Sequence, residues 1–164
     1  MCVTVWDREI PMKLILTALL VAGFAAPAGD PAGFHLWKTA ELKAFTKTLA
    51  PKMNASKTAV QQLTSFGNYS FLALHREASG EAEYHATQAD IFVVESGQAT
   101  LIYGGAMVDG KTTTPNEMRC PSISGGMETT LGVGDVVTIP AKMPHQIKLD
   151  AGQEVTYFMV KVTQ

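Results

Sequence analysis

Glu83-Tyr84-His85-Ala86-Thr87-Gln88-Ala89-Asp90, closed further on by Gly97, and Gly134-Asp135-Val136-Val137-Thr138-Ile139-Pro140-Ala141-Lys142-Met143-Pro144-His145 are the two stretches that decide how this chain folds. Glu83 and His85 are separated by one residue, so on an extended strand their side chains leave the same face and can converge. Asp90 opens the next apolar run, and Ser96-Gly97 marks a turn after it. If that run returns alongside Glu83 and His85, and the stiff Pro140 to Pro144 turn directs His145 the same way, two imidazoles and one or two carboxylates meet. Two histidines with a carboxylate suit Fe²⁺, and equally Zn²⁺, Mn²⁺ or Ni²⁺.

Working outward, β-branched and aromatic residues interrupted by Gly, Pro, Asn and Asp fill the chain from residue 54 onward. They predict strands over residues 65–75, 81–85, 90–95, 98–103, 136–139, 145–149 and 155–162. Turn signals at Ser79-Gly80, Ser96-Gly97, Asp109-Gly110, Gly125-Gly126, Gly134-Asp135 and Asp150-Ala151-Gly152 separate them, a spacing that favours a sandwich or barrel. Gly97, Gly134 and Gly152 fall where hairpins need a positive φ. Residues 104–131 lack clear periodicity and read as an extended loop over one barrel mouth or as a dimer arm. Before the strands, a polar Thr39, an early Glu41 and good helix formers predict one helix to about Met53.

The formal net charge of -2 and the absence of a Lys/Arg cluster exclude a nucleic-acid binder and leave a small molecule as the partner. The 164 residues suffice for one domain with its own core. Met12-Lys13, an apolar run over residues 14–26 and Ala26-Pro27-Ala28 form a secretory signal, with translation starting at Met12 and the mature chain near Gly29. The expected divisions are residues 1–28 as upstream residues and signal, 29–53 as an extension with the helix, and 54–164 as the β domain. The protein is then periplasmic or secreted, without a membrane anchor. Cleavage removes Cys2 and leaves Cys120 without a disulfide partner, in a structural role.

The first quoted stretch resembles the first motif of the cupin superfamily: His-x-His, a Glu three or four residues on, and a Gly six further. The second resembles the second cupin motif, Gly-(five)-Pro-x-Gly-(two)-His. Glu83 stands in place of the first histidine, Asp90 in place of the Glu, Lys142 in place of the Gly, and Leu149 where an Asn often follows. Gly80 lies closer to the first ligand position than the family's leading Gly. The resemblance implies an all-β jelly-roll barrel with the short N-terminal helix outside it, and a homodimer. It implies a divalent metal held by Glu83, His85, Asp90 and His145, with Asp90 either a ligand or a group that orients an imidazole.

Phe92, Val94, Ile139 and Ile147 are expected to supply an apolar pocket beside that metal. Cupins catalyse dioxygenation, decarboxylation, isomerisation and hydrolysis, and the resemblance does not choose among them. Two functions stay open: a metalloenzyme acting on a small oxygen-rich compound, with Asp90 and Tyr84 as acid–base candidates, or a non-catalytic small-molecule cup with or without metal. Of the neighbours His75 and Arg76 only one can face the interior; an inward Arg76 would offer an anion a bidentate partner, an outward one is a surface charge. His35 is expected to be exposed.

Overall fold

A computed structural model describes residues 30–164; the expected signal and its cleavage point lie outside the described residues. Residues 36–164 form one compact unit. Its chain enters through α1 (Thr39–Leu49), followed by a short 3-10 turn (Ala50–Lys52) in which Pro51 stops the α-helix. Lys38, not Thr39, precedes the first turn, and the Glu41 carboxylate accepts the Lys38 backbone N–H at 2.7 Å.

Among the described residues thirteen strands follow: β1 (Thr58–Phe66), β2 (Tyr69–Arg76), β3 (Ala82–His85), β4 (Gln88–Gly97), β5 (Ala99–Tyr103), β6 (Ala106–Val108), β7 (Lys111–Thr114), β8 (Glu117–Cys120), β9 (Ser122–Ser124), β10 (Met127–Leu131), β11 (Val136–Ile139), β12 (His145–Lys148) and β13 (Val155–Thr163). A five-stranded sheet has the order β1-β2-β13-β4-β11, and a six-stranded sheet the order β10-β5-β12-β3-β8-β7. β6 and β9 form a separate ribbon. The pairings that join these strands are antiparallel. The two larger sheets are not closed into one another; they face each other across a shared core, as in a jelly roll.

Period-two burial builds that core. Leu74, Phe92, Val94, Tyr157 and Met159 come from the five-stranded sheet, and Leu101, Leu131 and Ile147 from the six-stranded one. Ile139 of β11 belongs to the same cluster; of the four apolar residues expected to line a pocket, Phe92, Val94, Ile139 and Ile147 are all in the core, but only Phe92 and Ile147 line the cavity that Glu83 and His145 also border. On the outer face of the five-stranded sheet, Leu49 of α1 packs on Ala59 and Ala73, a burial worth about 1.5–3 kcal/mol. Thr46 Oγ1 lies 2.6 Å from Ser96 Oγ and 2.9 Å from Thr156 Oγ1, which fixes the helix over β4 and β13. Trp37 packs on Phe71 and Phe158, at ring separations of 5.0 and 5.3 Å.

Two sequence expectations change. Residues 65–75 are not one strand: Gly67-Asn68 is a two-residue turn, with Gly67 at φ 45°, joining β1 to β2. Residues 104–131 are not an extended loop: they carry β6 to β10. β8 pairs with β3, and β10 pairs with β5. Those strands escape a hydrophobic reading because β7 is exposed throughout and β10 exposed at four of its five residues, so neither alternates. The turn glycines behave as expected, with Gly97, Gly134 and Gly152 at φ 75°, 91° and 80°.

Candidate metal centre

Strand register assembles the site. On the six-stranded sheet Glu83 pairs with His145 on one side and with Arg119 on the other, and one step along the same face His85 pairs with Glu117. On the five-stranded sheet Asp90 of β4 pairs with Lys161 of β13. The two rows face each other, so Asp90 approaches Glu83, His85 and His145 from across the interior. All four of these residues offer one ligand atom each within 4.8 Å of the others.

Their separations have the scale of a coordination sphere. His85 Nε2 lies 3.4 Å from Glu83 Oε2 and 3.3 Å from Asp90 Oδ2; His145 Nε2 lies 4.0 and 3.6 Å from the same two oxygens. Donors at about 2.1 Å from a tetrahedral ion stand about 3.4 Å apart. The rings are oriented for it. His85 Nδ1 is 2.6 Å from Glu117 Oε2 and His145 Nδ1 is 3.1 Å from the Met143 carbonyl oxygen. With Nδ1 engaged outward on both, each Nε2 points to the centre and, once it gives up its proton, would offer an ion its lone pair. The cluster therefore fits a metal ion by its donor set and by what holds the donors.

Glu117 is hidden in the sequence because it sits in the stretch that reads as loop; its signal is Glu117-Met118-Arg119, two charges on one strand face. Glu117→Gln is expected to weaken metal binding about tenfold, measured by competition with a chelator, since outer partners of a ligating histidine contribute about 10–100-fold. Unchanged affinity would remove Glu117 from the site. The second motif is tied in through its backbone: Lys142 N donates to the His85 carbonyl at 2.7 Å. Lys142 adopts φ 68°, the left-handed conformation that the glycine of the resembled motif would take without strain.

A lysine stands among the four candidate ligands. Lys161 Nζ donates to Asp90 Oδ1 and Oδ2 at 2.8 and 3.0 Å and lies 3.1 Å from His85 Nε2. Its place is legible: Val155, Tyr157 and Met159 face the core, and Lys161 continues that parity. Burial would raise the Asp90 pKa, but hydrogen bonds from His145 and His85 and the Lys161 charge hold it well below the usual carboxylate range. For Glu83, burial is likewise outweighed, by the His85 hydrogen bond and by Arg119, His145 and Lys161, which bring it down to about 2. For His85, burial would lower the pKa, and the hydrogen bonds to Asp90 and Glu83 instead carry it to about 9.

These shifts set a pH window for the chelated protein. Glu83, held down, stabilises the fold above its ordinary 4.5, and that contribution is lost as pH falls toward about 2. His85, held up, stabilises below its ordinary 6.5, and that contribution is lost as pH rises through about 9. Thermal unfolding in chelator is expected to give its highest midpoint between pH 4.5 and 6.5. A midpoint unchanged from pH 6.5 to about 10 would contradict the His85 pairing.

Beside the cluster lies a cavity of about 230 Å³, lined among others by Arg76, Glu81, Phe92, Arg119, Ile147 and Tyr157. Arg76, then, is the inward residue of its pair. His75 lies on the other face, fully buried, with Nδ1 2.8 Å from Thr156 Oγ1 and Nε2 3.6 Å from Glu77 Oε1. Tyr84 alternates away from Glu83 and His85 and does not line the cavity. His35 is exposed. Cys120 is buried, its thiol 2.9 Å from the Ser122 carbonyl oxygen and 3.3 Å from Met107 Sδ.

No family model and no curated protein matches the chain. Among solved structures, a protein of Thermus thermophilus superposes with a TM-score of 0.52 at 14% identity, over 71% of this chain and 92% of that one. A cupin-2 domain of Rhodospirillum rubrum gives 0.48 at 15% identity, covering 66% and 61%. A cupin 2 conserved barrel domain protein of Rhodopseudomonas palustris gives 0.47 at 15%, covering 65% and 61%. At such identities the likeness is one of fold. In this fold, a jelly roll of two facing sheets, Glu83, His85 and His145 share one sheet and face Asp90 on the other.

Proposed function

We propose that this chain is a metal-dependent cupin: Glu83, His85, Asp90 and His145 hold one divalent ion, and a small oxygen-rich organic compound binds beside it in the cavity. The observation that carries the reading is the pair of imidazoles whose Nδ1 atoms are engaged outward while both Nε2 atoms meet two carboxylates. A bound divalent ion would supply a Lewis acid to an oxygen of that compound. The chain's own part is to fix the donors through Glu117 and Met143, to line the cavity with apolar walls, and to keep Asp90 ionised. Zn²⁺, Fe²⁺, Mn²⁺ and Ni²⁺ all suit two histidines with carboxylates.

Elemental analysis of untagged protein, purified without chelator, tests this. About one ion per chain is expected. A folded protein that stays metal-free after incubation with each of the four ions sinks the proposal. The position of Lys161 favours a second reading, a metal-free binding cup in which the ammonium is the resident cation; a metal-free result with ligand binding intact would select it. Export with cleavage near Ala28 and pairing into homodimers belong to the proposal as well. N-terminal sequencing of exported protein and light scattering check them, and an intact Met1 or a monomer at high micromolar concentration would count against each.

A further inference from the structure

Three Lys or Arg side chains line the cavity, and two of them are paired. Lys161 binds Asp90, while Arg119 lies 3.3 Å from Glu117 and 3.7 Å from Glu83. Arg76 is the third. It is only 8% exposed, its Nε has no hydrogen-bond partner, and no ion pair joins it to a carboxylate among the described residues. Its polar neighbour is the Tyr157 hydroxyl, itself a donor that needs no anion. A buried guanidinium cannot shed its charge and is rarely left unpaired.

The surroundings make room for it. Gly80 does not need a positive φ, yet a Cβ there would stand 2.1 Å from Arg76 Nη1 and 2.9 Å from Cζ. The glycine is thus the space in which the fork lies. The remaining wall beside Arg76 includes Leu72, Leu74, Ile147 and Met159, which suits a short carbon skeleton.

We infer that Arg76 is the anchor for a carboxylate of the cavity's ligand, so that the site takes a small organic acid with its carboxylate on Arg76 and Tyr157 and its carbon chain along the apolar wall. This deepens the small-molecule reading proposed above and rests on it. The fork of Arg76 presents two parallel N–H donors to two carboxylate oxygens, and one hydroxyl beside them completes the set. A phosphate, with more oxygens to satisfy, would find too few donors here.

Calorimetric titration of the metal-loaded full chain, with acetate, butyrate, succinate and glutarate as probes and butyramide and inorganic phosphate as controls, reads the assignment. At least one of the acids is expected to bind, and butyramide to bind much more weakly than butyrate. Arg76→Met and Arg76→Lys are each expected to weaken acid binding about ten- to hundredfold, because lysine keeps the charge but loses the fork. Gly80→Ala, which leaves Arg76 in the chain and pushes its guanidinium aside, is expected to do the same, with circular dichroism showing all three folded. Metal content of each sample and a parallel titration of chelated protein separate the two readings. Arg76-dependent acid binding in protein that never holds metal would retire the metal and keep this anchor. One metal per chain with acid binding indifferent to Arg76 and Gly80, no acid binding at all, or phosphate binding more tightly than every acid would overturn it.

Discussion

His145→Ala is expected to purify folded and with less than about a tenth of the wild-type metal, because it removes one of the four proposed donors outright, where changes to the groups behind the donors alone cost about 10–100-fold. The barrel should tolerate the change. His145 Nε2 faces Glu83 and Asp90 rather than the apolar cluster, and β12 keeps its register with β5 from Gln146 to Lys148. The loss is therefore one of coordination and not of packing. Glu83→Gln sharpens the test, since it keeps the side-chain size and removes the charge; it too should lose much of its metal if Glu83 is a ligand. Metal per chain by elemental analysis, with circular dichroism alongside, gives the result. Full occupancy in both variants would show that the cluster is not where the metal binds.

The residues that read clearly in the sequence are those whose geometry is local. Glu83 and His85 face one way because they are two apart, and Gly134 to His145 carries its own turn in Pro140 and Pro144. Asp90 is less firmly placed by sequence, for its approach depends on β4 lying in the opposite sheet. Glu117 has no place in a sequence reading, because it is useful only through the pairing of β8 with β3, a contact 32 residues away in the chain. The exposed strands around it carry no alternation that would announce them. The β1–β2 hairpin reads as one strand for a different reason: Gly67-Asn68 is a short turn signal inside a long β-forming run. Lys161 and Arg76 show the most informative departure. Both are charges at inward positions of otherwise apolar strands, and such a violation of the two-residue pattern marks a site more reliably than it marks a mistake.

Lys161→Met is expected to act in opposite directions on the metal-free and metal-bound protein. Without metal, Lys161 is the cation hydrogen-bonded to Asp90, which is fully buried and held ionised. Removing one partner of a buried pair costs about 3–5 kcal/mol, and because Lys161 is 21% exposed the lower end applies. The chelated variant should then unfold about 10 °C lower than chelated wild type. A metal ion entering wild type must displace this ammonium from Asp90 and His85, whereas in the variant nothing stands there. If the metal-bound form makes no use of Lys161, linkage requires the free energy lost by the metal-free state to reappear as tighter binding, about a hundredfold for about 3 kcal/mol. The two measurements, thermal unfolding in chelator and a chelator-competition titration, should therefore agree in size and differ in sign. A drop in stability with no metal bound at any concentration identifies Lys161 as the resident cation of a metal-free cup. Unchanged stability together with unchanged affinity would mean that the ammonium does not occupy the centre, and the competition between lysine and metal would have to be abandoned.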